Sequence, residues 1–85
     1  MYVIVGSVTM ATRLKKRLEA ASGQGVSVVH TPAKLAKTSG CSYSVRADNK
    51  LYSMIHPLCD EHGIHIKKIY LEEAVGKERI YSAVP

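Results

Sequence analysis

The sequence has neither tryptophan nor phenylalanine, and it has only two cysteines, Cys41 and Cys59. No apolar run approaches the roughly 20 residues that a membrane-spanning helix requires. The apolar start, MYVIVGSV, is too short for a signal peptide and lacks its basic leader. Two cysteines without a secretion signal do not indicate a disulfide framework, so we expect two free thiols in the cytoplasm and no membrane association.

Motifs of common catalytic and metal centres are also missing. There is no CxxC motif, which disfavours a dithiol oxidoreductase, and no spacing indicates a Ser-His-Asp triad. A chain of 85 residues can form one core but has little room to enclose a substrate. We therefore expect an accessory protein rather than a stand-alone enzyme, with no cofactor and no metal site.

The charge of the chain is unbalanced. Twelve Lys and Arg against seven Asp and Glu give a formal net charge of +5. This excess is compatible with nucleic acid, with an acidic partner protein or with an anionic group held on the protein. Charge alone does not choose among them.

Hydrophobic periodicity predicts four strands and two main helices. The strands are expected at residues 2–6, 26–30, 41–47 and 64–71. The first helix should be capped by Ser7 and ended by Gly23, and the second capped by Asp48, kinked or split at Pro57, and ended by Gly63. A short extra helix should start at Thr31–Pro32 and run through Lys37.

The resulting order, β-α-β-β-α-β, predicts an α+β fold of the ferredoxin-like type. This is a two-layer sandwich in which an antiparallel four-stranded sheet of order 4-1-3-2 carries both helices on one face. Residues 1–72 form this single domain. Residues 73–85 form a C-terminal tail that could be an extra strand, a contact in a homodimer or a disordered segment.

The topology gives Cys41 unusual surroundings. Because strand three should run antiparallel beside strand one, its start lies near residues 6–8, where the first helix begins. Ser7 marks a helix N-terminus, which favours an anion, and Lys34 and Lys37 come from the turn before the cysteine. These groups should favour the thiolate form of Cys41.

The second cysteine has a simpler interpretation. Cys59 shares one face of the second predicted helix with Leu51, Ile55 and Leu58. Free cysteine is among the most buried residue types and packs as a small hydrophobic group. We expect Cys59 to be a core residue without a chemical role.

This plan resembles a family of short bacterial and archaeal domains described as selenium/sulfur carrier protein-like, over residues 2–72. The family's local motif is a proline followed about nine positions later by a cysteine, matched here by Pro32 and Cys41. Ala33 and Ser42 stand where the family usually has a basic residue and a glycine. The resemblance implies that Cys41 carries sulfur or selenium, as a persulfide or selenylsulfide, between donor and acceptor proteins.

A metal site is one competing interpretation. His30, Cys41 and His65 should lie at one edge of the sheet, with His62 close by. However, strand one separates strands three and four, and no paired spacing of ligands supports a zinc site. The histidines are better interpreted as surface groups.

Two binding functions also compete. Ferredoxin-like sheets bind RNA through aromatic side chains on the central strands, where Tyr2 and Tyr43 are expected, but the RNP pattern is missing from SYSVRA. The basic cluster at residues 13–17 fits a solvated helix face, so nucleic acid is disfavoured. The stronger alternative is a non-catalytic partner-binding or regulatory domain, in which Cys41 is dispensable.

Overall fold

The computed structural model describes residues 1–85, with five strands and three α-helices. The strands are β1 (Tyr2–Ile4), β2 (Ser27–His30), β3 (Tyr43–Arg46), β4 (Lys68–Val75) and β5 (Glu78–Val84). The helices are α1 (Val8–Ser22), α2 (Ala33–Ser39) and α3 (Tyr52–His62), and a 3₁₀ turn at Asn49–Leu51 precedes α3. None of these helices combines the length and the hydropathy that crossing a membrane would take.

The α+β class is confirmed, and every strand pair is antiparallel, in the order β2-β3-β1-β4-β5. The sheet has five strands rather than the expected four, because β5 pairs with β4 along its length. The expected neighbours β1 and β3 do pair, with Val3 opposite Val45. This pairing brings the end of β1 beside the loop that precedes β3.

Helix α1 forms where its caps predict it. The Ser7 side chain accepts a hydrogen bond from the backbone N–H of Met10, and Gly23 ends the helix in the left-handed conformation, with φ 68°. Ala11, Leu14 and Leu18 recur at helical spacing and are fully buried. The start of α1 at Val8 is therefore fixed four positions beyond the end of β1 at Ile4.

The alternation of β1 supplies apolar side chains to both faces of the sheet. Val3 belongs to the main core, which α1 and α3 cover, whereas Tyr2 and Ile4 belong to a second cluster on the opposite face. The two long helices share one face, as expected, but α2 lies on the other. Its single buried residue, Leu35, packs in the second cluster. Because the helix has only seven residues and one buried apolar side chain, the position of Leu35 determines the face of the sheet on which α2 lies.

The start of α2 also differs from the expectation. Pro32, not Thr31, is the N-cap, and its carbonyl accepts hydrogen bonds from Leu35 and Ala36. The backbone N–H of Thr31 instead donates to the carbonyl of Ser42, which continues the pairing of β2 with β3 by one residue. The helix then continues to Ser39, two residues beyond its expected end.

Helix α3 packs against the main core. Asp48 caps the 3₁₀ turn by accepting a hydrogen bond from the N–H of Lys50, and α3 passes through Pro57 without being split. Cys59 is only 1% exposed and packs in the main core with Ile55, as predicted.

The segment expected to be a tail forms a hairpin. Strand β4 runs through Val75, so the boundary expected after residue 72 falls inside a strand, and Gly76 turns the chain with φ 61°. Glu72 on β4 forms ion pairs with neighbouring strands, since its carboxylate lies 2.9 Å from Arg79 on β5 and 3.6 Å from Arg46 on β3. These ion pairs link the hairpin to the rest of the sheet.

Candidate functional site

A cleft of about 390 Å³ opens at the edge of the sheet where β1 ends and β3 begins. Three segments form it: the junction between β1 and α1, the loop before β3, and the residue before β4. Its lining consists of Gly6, Ser7, Val8, Gly40, Cys41, Ser42, Tyr43 and Lys67. Cys41 and residues 6–8 thus line one cleft, as antiparallel pairing of β1 and β3 predicts.

Cys41 lies at the base of this cleft rather than on an open surface. The residue is 9% exposed and packs in the second cluster with Ile4 and Leu35. Its backbone N–H donates a hydrogen bond to the hydroxyl of Ser39 at 3.3 Å. Cys41 is therefore nearly buried, yet it belongs to the lining of an open cleft.

Lys67 supplies the positive charge nearest the thiol. Its Nζ donates to the Sγ of Cys41 at 3.8 Å, and its backbone N–H donates to the carbonyl of Ile4 at 2.8 Å. An ammonium beside a sulfur stabilises the thiolate, which is the nucleophilic form. Sequence reasoning did not name Lys67. The one signal at this point, a break in apolar alternation at Lys67–Lys68, indicates a bulge or an end of strand pairing and does not indicate a neighbour of Cys41.

Gly6 forms the turn into α1 beside the Lys67 side chain. It has φ 92°, a conformation that residues with a Cβ rarely adopt. A Cβ at this position would lie 3.4 Å from Cε of Lys67, an ordinary van der Waals contact, so the backbone conformation and not the lysine requires the glycine.

Lys34 and Lys37 were expected to be near the sulfur, and neither contacts it. Both side chains are exposed on α2, and no hydrogen bond or ion pair joins either of them to Cys41. The reason is the orientation of α2, which turns Leu35 toward the sheet and its two lysines toward solvent. They add positive potential around the cleft but do not touch the thiol.

Ser7 acts through the helix that it caps. Its hydroxyl is engaged with the N–H of Met10, which leaves the N–H groups of Val8 and Thr9 without an acceptor inside α1. No acidic residue lies in the first turn to neutralise the positive end of the helix dipole. Two sources of positive potential therefore lie at the cleft, the N-terminal end of α1 and the Lys67 ammonium.

Two large apolar side chains flank the mouth. Val8 is 50% exposed and Tyr43 is 40% exposed. The Tyr43 ring rests against the His30 ring, with 4.6 Å between centroids. This contact with His30 holds the exposed Tyr43 side chain in one orientation beside the cleft.

The possible metal ligands and the second cysteine form no comparable site. No three His, Cys, Asp or Glu side chains gather in an arrangement that could hold a metal ion. Burial, with a smaller effect of the Asp60 charge, raises the pKa of Cys59 to about 11. Cys59 is therefore protonated at neutral pH and shielded by the core, and Cys41 is the one thiol that lines a cleft.

Comparison with known proteins identifies the family of the chain. No curated protein and no solved structure matches the chain significantly. A sequence model of one protein family matches residues 1–71, which contain the whole cleft and end within β4. The chain therefore belongs to the family described as "Putative Se/S carrier protein-like".

Proposed function

We propose that this protein carries sulfur or selenium on the thiol of Cys41. The observation that carries the proposal is the contact between the Lys67 ammonium and the Cys41 sulfur inside an open cleft, in a chain of this family. Donor and acceptor are proteins that dock at the cleft in turn.

The loading step needs only a thiolate and a donor persulfide, R–S–SH. The Cys41 thiolate attacks the terminal sulfur, the S–S bond of the donor breaks, and R–S⁻ leaves with the electron pair. The product is Cys41–S–SH, so the terminal sulfur and its proton move together and no external oxidant or reductant is consumed. Selenium transfers in the same way from R–S–SeH, which leaves Cys41–S–SeH.

The cleft also suits the loaded state. Ionisation of the new terminal atom produces an anion one bond further out than the original sulfur, toward the mouth. Lys67 and the N–H groups at the start of α1 lie there to stabilise it. Unloading repeats the exchange, with the acceptor thiolate attacking the terminal atom and Cys41 leaving as thiolate.

Intact-mass measurement after incubation with a cysteine desulfurase and cysteine tests the proposal. Wild type and Cys59→Ser should gain the mass of one sulfur atom, removable by dithiothreitol, whereas Cys41→Ser should gain nothing. Absence of loading in wild type with several donors, or equal loading of both serine variants, would disprove it.

A further inference from the structure

We infer that the cleft is a docking site for an acidic segment of the donor or acceptor protein, an inference that rests on the proposed function. The first observation is the distribution of charge along the chain. No Asp or Glu occurs in residues 20–47 or 62–71, the segments that contain the loop before β3 and the start of β4. None of the eight residues that line the cleft is acidic.

The lysines around the cleft have no carboxylate partner, and apart from Lys67, which contacts Cys41, they are free to bind an external anion. Four lysines belong to the two segments nearest the thiol and all are exposed: Lys34, Lys37, Lys67 and Lys68. None of them forms an ion pair, since the three ion pairs of the structure involve other residues. Unpaired positive charge on one surface attracts and orients a negatively charged partner.

Lys67 and Lys68 also line a second cleft next to the first. This cleft measures about 260 Å³, and its other lining residues are Thr38, Ser39 and Tyr70. Lys67 lines both clefts and so joins them into one surface. A chain segment that binds across this surface toward Cys41 would contact lysine ammonium groups and hydroxyl groups along its path.

Two exposed apolar side chains beside the cleft, Val8 and Tyr43, favour a protein segment over a simple ion as the bound group. Val8 and Tyr43 expose half or nearly half of their side chains beside the mouth, and the Tyr43 ring is held by His30. Tyrosine held in one orientation is a typical anchor of protein interfaces. Because the thiol is only 9% exposed, the partner's sulfur must come into the cleft on a protruding segment.

The test uses two synthetic peptides that differ only in charge, each with one cysteine activated as a mixed disulfide with thionitrobenzoate. One peptide has Asp and Glu around the cysteine and the other has Lys. Attack by the Cys41 thiolate forms the Cys41–peptide disulfide and releases coloured thionitrobenzoate, so the rate is read directly. We expect the acidic peptide to react about tenfold or more faster at low salt, and the preference to shrink as salt is added.

A matched pair of charge-reversed variants locates the effect. Lys34→Glu with Lys37→Glu and Lys68→Glu should abolish or invert the preference, whereas Lys16→Glu with Arg17→Glu and Lys77→Glu, which changes the net charge equally, should largely keep it. Reaction with uncharged iodoacetamide should be similar in both triple variants, because Lys67 is intact. Tyr43→Ser should slow both peptides without changing their ratio.

Equal rates for the two peptides, or equal effects of the two triple variants, would overturn the inference. The assay reads disulfide exchange and requires no persulfide. A protein that prefers the acidic peptide but never gains sulfur would disprove the carrier function alone, and one that gains sulfur without the preference would disprove the acidic docking alone.

Discussion

Lys67 Nζ lies 3.8 Å from Cys41 Sγ, although 26 positions separate the two residues in the chain. The contact depends on the sheet, since β1 pairs with both β3 and β4 and brings the residues preceding those two strands together at its end.

Lys67→Gln should slow the alkylation of Cys41 by iodoacetamide at neutral pH by up to about fivefold. The reason is the loss of the neighbouring ammonium, whose effect should resemble the ~0.2–1 kcal/mol of an exposed ion pair. Lys68→Gln is the matched control, because it removes the same charge one position further along, where no contact with the sulfur exists. Equal rates in the two variants would assign the thiol's reactivity to something other than Lys67.

Gly6→Ala should lower stability and leave the reactivity of Cys41 unchanged. A Cβ at φ 92° is strained by about 1–2 kcal/mol, but it would lie 3.4 Å from Cε of Lys67, an ordinary van der Waals contact, so Lys67 can keep its contact with the sulfur. Gly23→Ala is the matched control, with a similar positive φ of 68° and nothing within 4 Å of the added Cβ, and it should lose a similar amount of stability. Chemical denaturation measures the loss in both variants, and slower alkylation of Cys41 by iodoacetamide in Gly6→Ala alone would show that the added Cβ displaces Lys67.

Cys59 should be unreactive toward bulky thiol reagents in the native protein and become reactive on unfolding. Its raised pKa also makes stability depend on pH. The unfolded thiol ionises near its ordinary value of 9.0 and the folded thiol near 11, so stability should fall as the pH rises through this interval. Cys59→Ala should lose about 1–2 kcal/mol of stability through the smaller side chain, and the part of the alkaline loss due to this thiol should disappear. Native Cys59 that labels as fast as Cys41 would show that the core around it opens.

Glu72 should make the hairpin sensitive to acid. Burial acts to raise the pKa of this carboxyl, but the hydrogen bond from Arg79 and the charges of Arg79 and Arg46 hold it below the usual value of 4.5. The ionised form therefore stabilises the fold at neutral pH, and this contribution is lost as the pH falls through the pKa of the folded state. Glu72→Gln should weaken the acid dependence of the unfolding free energy, whereas Glu73→Gln, which removes an unpaired carboxylate, should not. An identical acid profile for both variants would contradict the role of Glu72.

Local signals in the sequence predicted much of the scaffold. Ser7 and Gly23 bound α1 through hydrogen bonds of their own, and Cys59 shares a helical face with Ile55, so neither inference depended on distant contacts. The position of Cys41 beside residues 6–8 followed from antiparallel pairing alone.

Other features depend on tertiary contacts that local patterns do not reveal. The face on which α2 packs is set by one residue, Leu35, and a helix with one buried side chain has no periodicity to reveal its orientation, so the sequence did not show that Lys34 and Lys37 face solvent. Strand β5 has mostly exposed side chains and lacks a buried face, so the extra strand was one of three alternatives for residues 73–85. The contact of Lys67 with Cys41 joins residues 26 positions apart, which no local pattern reveals.

Cys41 is held by hydrogen bonds on both sides of it in the chain. Its own N–H donates to Ser39 of α2, and the carbonyl of Ser42 accepts from Thr31 at the end of β2, so Cys41 lies on no swinging arm. In the carrier function proposed above, each partner would therefore have to extend its own sulfur into the one cleft that Cys41 lines. Donor and acceptor would then bind in turn and not together, which predicts ping-pong kinetics for the proposed transfer.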